Sequence, residues 1–216
     1  MMTRRILAVL ALGLAALSST QLCAQDVFLL NTNNPSWSWR KGTSEASAPV
    51  EAWRATNYNE AGFTAAPAPF YYGDLLTGGT LITDMLNSYS SIFLRKTFVV
   101  TNANDFSTLK LGYRCDDGFI AWINGVEVFR YNMPAGTIPF NGSASGAVAV
   151  DPAPFFTANL SAASLAALVG GTNVLAIQAF NAGLGSSDLI MDVSLSATPD
   201  RARRWSLSSF PSPVRP

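Results

Sequence analysis

The stretch from Leu109 to Asn132 constrains this chain most, because it alternates apolar and polar residues between two tight turn signals. Leu109, Leu111, Tyr113 and Cys115 alternate with Lys110, Gly112 and Arg114, which predicts a strand with one apolar face. Asp116-Asp117-Gly118 ends it, since Gly tolerates positive φ and Asp hydrogen-bonds its own backbone in turns. Phe119 to Ile123 reads as the next strand, and Asn124-Gly125 is the favoured pair for a two-residue type I′ hairpin. That turn predicts Ile123 opposite Val126, Trp122 opposite Glu127 and Ala121 opposite Val128. Asp117 and Arg130 then meet at one end of the hairpin, with Asn124 at the other. The pattern by itself yields a β-meander.

The beginning of the chain has a different character. Arg4 and Arg5 precede an apolar run from Ile6 to Leu17, and Leu22-Cys23-Ala24 offers a small residue before Gln25. This predicts a secretory signal peptide over residues 1–24, too short to span a bilayer, and a secreted or cell-envelope location. Bulky Leu22 directly before Cys23 argues against lipid attachment there. Cleavage leaves Cys115 as the one cysteine, so no intrachain disulfide is expected, and its place on the apolar face predicts a packed core thiol. Between Gln25 and Ser196 the chain carries 8 Lys and Arg against 13 Asp and Glu. That balance argues against nucleic acid as a partner. Residues 197–216 hold Arg201, Arg203, Arg204 and Arg215 among prolines and predict a disordered tail without a membrane anchor.

The domain is therefore expected at 25–196. Asp26 to Leu30 reads as an opening strand. From Asn31 to Gly79, Pro35, Pro49, Pro67, Pro69 and Gly78-Gly79 interrupt any long periodicity. Trp37, Trp39, Trp53, Tyr58, Phe63, Phe70, Tyr71 and Tyr72 crowd this segment, which either covers the core or lines a ligand groove; rings spaced by turn residues favour the cover. Ile92 to Val100 is apolar on both faces and predicts a central strand. Met133 to Phe156 is a long loop, Ser161 caps a short helix through Val169, Thr172 to Phe180 is a buried strand, and Leu189 to Leu195 is the last. The sum is an all-β, antiparallel β-sandwich with one short helix.

The order of these pieces resembles the galactose-binding-like jelly-roll domains of secreted bacterial proteins. In outline it is also similar to the sugar-binding β-sandwich of some glycoside hydrolases. The residues that carry the resemblance are Glu51-Ala52-Trp53-Arg54, Tyr72-Gly73-Asp74, Phe93-Leu94-Arg95-Lys96-Thr97-Phe98 and Asp116-Asp117-Gly118. They continue with Ile123 to Arg130, Asn132-Met133-Pro134-Ala135-Gly136, Gly171 to Ile177, and Ser186-Ser187-Asp188. The resemblance implies a jelly-roll fold, which hosts binding, adhesive and architectural modules alike. Many relatives carry a histidine where this chain has Phe180 before Asn181, so a site built on that histidine is altered or absent here.

The chemistry open to the chain is narrow. It has no histidine, which excludes Ser-His-Asp and Cys-His arrangements and imidazole zinc sites. A glycosidase needs two carboxylates across a cleft, and Asp116 and Asp117 sit together in a turn while Glu127 lies at the opposite end of the hairpin. No enzyme is expected. Asp116, Asp117, Asn132 and Asp188 are hard oxygen donors that suit calcium, with Asp117 and Asp188 the metal candidates. Their spacing matches no dedicated calcium loop, so the simpler reading has Asp117 capping a turn and Arg130 pairing a neighbouring carboxylate. No other cofactor is expected.

The resulting expectation is a secreted, non-catalytic carbohydrate-binding module for a glycan or cell-surface polysaccharide. Its candidate ligand residues are Asp116, Asp117, Arg130, Asn132, Asn181, Asp188 and Trp122. The alternative is a structural or adhesive sandwich without a small ligand. Two or more of Trp37, Trp39, Trp53 and Trp122 on one open surface would favour the first.

Overall fold

The computed structural model describes residues 25–32, 36–74, 76–148, 150 and 152–200. The predicted signal peptide and residues 201–216 of the predicted tail lie outside the described residues. The strands are β1 (Val27–Leu30), β2 (Trp37–Lys41), β3 (Thr64–Ala66), β4 (Phe70–Tyr72), β5 (Thr80–Leu81) and β6 (Ser91–Val100). They continue with β7 (Phe106–Asp116), β8 (Gly118–Ile123), β9 (Val126–Tyr131), β10 (Phe156–Asn159), β11 (Gly171–Phe180) and β12 (Leu189–Pro199). The helix α1 (Ala162–Ala166) precedes β11. Sheet I has the order β10-β7-β12-β4-β5, with β1 beside β12; sheet II has the order β3-β2-β6-β11-β8-β9. Every pairing is antiparallel except the short β4–β5 contact. The chain is a two-sheet β-sandwich, as its periodicity predicts.

The core lies between the sheets. Leu109, Leu111, Tyr113 and Cys115 of β7 and Leu189, Met191, Val193 and Leu195 of β12 face Ile92, Leu94 and Phe98 of β6 and Leu175 and Ile177 of β11. Cys115 is a buried unpaired thiol, and burial pushes its pKa well up. At about 25 cal/mol per Å² of apolar surface, this interleaved layer supplies the main drive to fold.

Three expectations need correction. β7 and β8 do not form a hairpin. β7 belongs to sheet I and β8 to sheet II, so Asp116-Asp117-Gly118 carries the chain across the sandwich. Both strands turn their apolar residues inward, one from each side, and that satisfies the alternation as well as a meander would. Gly118 is needed for space and not for positive φ: a Cβ there would lie 2.8–2.9 Å from Met133, Ala144 and the Asn132 carbonyl. Second, the hairpin register slips. Asn124 and Gly125 make the expected positive-φ turn, with Ile123 opposite Val126 and Trp122 opposite Glu127. A bulge then puts Ala121 opposite Phe129, Ile120 opposite Arg130 and Phe119 opposite Tyr131. Val128 is the extra residue, and its insertion turns Phe129 and Tyr131 inward against Tyr113 and Phe119. Third, β12 runs to Pro199, with Ala197 buried between β7 and β1, so the ordered strand passes the predicted end at Leu195 and the predicted boundary at 196.

The helix also stops early. Ser161 caps it as expected, its Oγ accepting from Ser164 N at 3.1 Å. Beyond Ala166, two asparagines take over the backbone groups: Asn124 Nδ2 donates to Ala167 O at 2.9 Å, and Asn173 Oδ1 accepts from Val169 N at 2.9 Å.

Sheet II is buried on both faces. Its outer face carries Phe93, Ile120, Trp122, Ala176 and Phe180, which pack with Ala46, Trp53, Ile138 and Ala144 from two covering segments. The aromatic-rich amino-terminal segment thus serves as cover in the region of Trp53. Arg95 of β6, 1% exposed, pins it. Its Nε donates to Glu60 Oε1 at 2.8 Å, and Nη1 donates to the carbonyls of Trp53 and Ala55. Replacing Arg95 with Met leaves Glu60 and two carbonyls without their donor, and should lower unfolding stability by about 2–3 kcal/mol. Urea titration checks this; an unchanged midpoint at unchanged slope would refute the pinning role.

Candidate functional site

The predicted site residues other than Asp188 separate into two places; Asp188, just before β12, accepts from Ser187 Oγ at 3.2 Å and acts on Asp116 by charge. At the crossing between sheets, Asp117 is 1% exposed and its carboxylate is engaged by two backbone N–H groups and a hydroxyl. Oδ1 accepts from Val148 N at 2.8 Å; Oδ2 accepts from Ala182 N at 2.6 Å and from Ser186 Oγ at 3.3 Å. Its own N–H donates to Phe180 O at 3.2 Å, and its carbonyl accepts from Asn132 Nδ2 at 3.0 Å. Asn181, also buried, donates through Nδ2 to Tyr72 Oη at 2.7 Å, and that hydroxyl donates to Ser186 O at 2.7 Å. Asp117, Asn132, Asn181 and Ser186 are therefore one network that fastens the β9–β10 and β11–β12 loops to the crossing.

Asp116 adjoins it. Burial, a hydrogen bond to Asp117 and the charges of Asp117, Asp188 and Asp74 push its pKa up to about 8. The shift favours a proton held on Asp116 and donated toward Asp117. The Asp117 oxygens are taken by two N–H groups and the Ser186 hydroxyl, and among the described residues no three acidic, His or Cys side chains converge on a metal position.

Arg130 does not join this network, because the bulge turns it to the outer face of sheet II. There it grips Glu127 with both arms, Nε to Oε1 and Nη2 to Oε2 at 2.8 Å each, and donates to the carbonyls of Pro134 and Gly136. Trp122 lies on the same face, buried edge-on against Trp53 with centroids 5.6 Å apart. Arg54, Ile120, Trp122, Glu127, Arg130, Gly136, Thr137 and Ile138 border a cleft of about 470 Å³.

A larger cleft, about 640 Å³, lies on the outer face of sheet I between Phe28, Asn31, Thr32, Arg114, Phe155, Asp192 and Ser194. Arg114 of β7 and Asp192 of β12 are cross-strand partners. Arg114 Nε and Asp192 Oδ1 are both buried without a hydrogen-bond partner among the described residues. Burial pushes the Asp192 pKa up to about 6, against the opposing pull of the Val193 N–H and Arg114. Phe28 (63% exposed) and Phe155 (43%) flank this polar floor. Gly112 makes room: a Cβ on it would lie 2.8 Å from the Phe155 ring and 2.4 Å from Ser194 Oγ. None of these residues was among the predicted ligand residues. The outward positions of β7 were visible in its alternation, but nothing in sequence placed Phe28 and Phe155 beside them.

No protein-family model matches the chain, and no curated protein matches it. Solved structures do. A beta-glucuronidase of an uncultured Clostridium sp. is similar with a TM-score of 0.51 and 14% identity, over 83% of this chain and 30% of that one. Ruminococcus gnavus beta-glucuronidase in complex with uronic isofagomine is similar with a TM-score of 0.47 and 11% identity, over 84% and 30%. A calcium-binding mutant of Bacteroides uniformis beta-glucuronidase 2 gives 0.47 and 16%, over 81% and 18%. The chain spans less than a third of each of these proteins, and the first likeness supports the two-sheet fold alone.

The crossing network generates two expectations. Asp117→Asn presents an amide nitrogen to an N–H donor and should cost about 2–4 kcal/mol in chemical denaturation; a loss well below 1 kcal/mol would show that the carboxylate is dispensable. Asp116 has a folded pKa above its unfolded value, so the fold holds the extra proton and stability falls as pH rises from about 4 to about 8. Asp116→Asn keeps a donor toward Asp117 and should flatten that decline in melts taken across this range.

Proposed function

We propose that the chain is an exported, non-catalytic carbohydrate-binding module of the galactose-binding-like type, and that the outer cleft of sheet I holds the saccharide. The observation that carries this reading is two exposed phenylalanine rings flanking a cleft floored by the Arg114, Asp192 and Ser194 side chains. Apolar rings suit the C–H faces of a sugar, and a guanidinium, a carboxylate and a hydroxyl on the floor suit its hydroxyls. The β-sandwich fold is compatible with this use. Export rests on the leader of residues 1–24, and no helix of the described residues is long and apolar enough to cross a membrane.

A second reading, the structural or adhesive sandwich, is favoured by one observation. Trp37, Trp53 and Trp122 are buried and Trp39 is half-buried, so the tryptophans form no open platform. The two readings part on a glycan-array screen of the exported chain, with and without calcium. The carbohydrate reading expects binding that falls roughly tenfold in Phe155→Ala, the scale of losing one stacked ring. No glycan bound under either condition would leave the structural reading.

The pH response is a further check. Asp192 becomes protonated below about pH 6, so binding that uses its carboxylate should weaken there, and Asp192→Asn should remove the dependence. The raised Asp192 pKa makes this group's contribution to stability grow as pH falls from about 6 to about 4, so the loss of binding cannot be unfolding at this site. A pH-independent affinity in the parent chain would remove Asp192 from the site.

A further inference from the structure

Arg54 closes the short 3-10 turn Ala52–Arg54, whose Trp53 is locked in the cover of sheet II. It is 8% exposed, and its guanidinium lies over the Trp122 ring with 4.0 Å from Cζ to the centroid. The other arginines on this face are occupied. Arg95 holds Glu60, Arg130 holds Glu127, and Arg40 bonds Ser44 and the Ala46 carbonyl. Arg54 has no hydrogen-bond acceptor among the described residues, and its Nε is buried without a partner. Glu127, which lines the same cleft, is already taken bidentately. Glu51, Glu127 and Glu45 act on Arg54 through charge alone, while burial lowers its pKa. A guanidinium stays charged even so, which leaves a nearly desolvated cation whose side chain borders an open cleft.

We propose that this cleft is an anion subsite in which Arg54 receives the carboxylate of an acidic, uronic-acid-type saccharide. The sugar class rests on the carbohydrate reading above; the cation site is on the opposite sheet and stands on its own geometry. A planar carboxylate matches the guanidinium fork. The carboxylate of Glu127 beside it favours a singly charged group over a phosphate ester. Ile120 and Ile138 offer apolar walls to a pyranose ring, and Thr137 offers a hydroxyl.

Calorimetry on the full exported chain at low salt, with tetragalacturonate, its carboxyl-reduced counterpart, tetraglutamate and inorganic phosphate, tests this. Tetragalacturonate should bind at least roughly tenfold tighter than the other three, and its binding should shift the Arg54 Nε–H resonance. Arg54→Gln should erase that preference, with melting unchanged or raised since an unpaired buried charge is removed; Phe155→Ala should leave it intact. If Arg54→Gln does not fold, the resonance shift and the four-probe ranking in the parent chain decide. Equal binding of the reduced sugar, lost in Phe155→Ala, would overturn the Arg54 assignment and leave the sheet I reading standing. Tetraglutamate or phosphate binding as tightly as tetragalacturonate would overturn the saccharide carboxylate. No binding of either saccharide would overturn the Arg54 assignment alone, since the sheet I reading falls only with a glycan array on which nothing binds.

Discussion

The contact of Arg95 with Glu60 and with the carbonyls of Trp53 and Ala55 is the interaction on which sheet II depends. β6, β8 and β11 carry apolar residues on both faces, so one face meets sheet I and the other must be covered or left wet. A cover made of loops has few backbone bonds of its own to hold it. One buried cation that donates to two of its carbonyls and one of its carboxylates fixes it in place. Trp53 then fills the space against Phe93 and Trp122 with edge-on rings at 5.1 and 5.6 Å, which is packing that only an anchored loop sustains.

A second lock works at the end of the sandwich. The chain passes from β7 to β8 through Asp117, and passing between sheets leaves amides of neighbouring loops without ladder partners. Asp117 accepts from Val148 and Ala182, and Asn132 bonds back to the Asp117 carbonyl. Burial beside Asp117 raises the Asp116 pKa, which favours a donor there where a second charge would repel. These two residues look like a ligand pair in sequence because polar residues that hold loops and polar residues that hold ligands are the same types.

The sequence made the long elements legible and the joints between them illegible. β6, β8 and β11 stand out because each buries an apolar run, β7 because it alternates, and Ser161 announces the helix because its hydroxyl meets a backbone N–H three residues on. β2 to β5, at two to five residues each among prolines and glycines, are too short to show a period. The meander reading failed because inward alternation looks the same whether consecutive strands share a sheet or face each other. Arg54 was within a segment quoted for its family likeness, but its lack of a partner depends on where Glu127 and Arg130 go. That is settled by the register of another hairpin.

The bulge at Val128 links that register to both the core and the cleft. Without it, Arg130 would stand opposite Phe119, on the face turned to the core. With one residue inserted, Phe129 and Tyr131 take the inward places and complete the ring cluster around Tyr113 and Phe119. Arg130 moves to the outer face beside Ile120, on the side where Glu127 already stands opposite Trp122. The two then pair across three residues, a spacing that alternation in an unbulged strand would put on opposite faces. That pairing takes up the carboxylate in the cleft and leaves Arg54 as its unsatisfied charge. The doublet Val128-Phe129, which interrupts the alternation of β9, is the sequence trace of this device. The same insertion that the aromatic core requires thus sets the charge that an acidic ligand would meet.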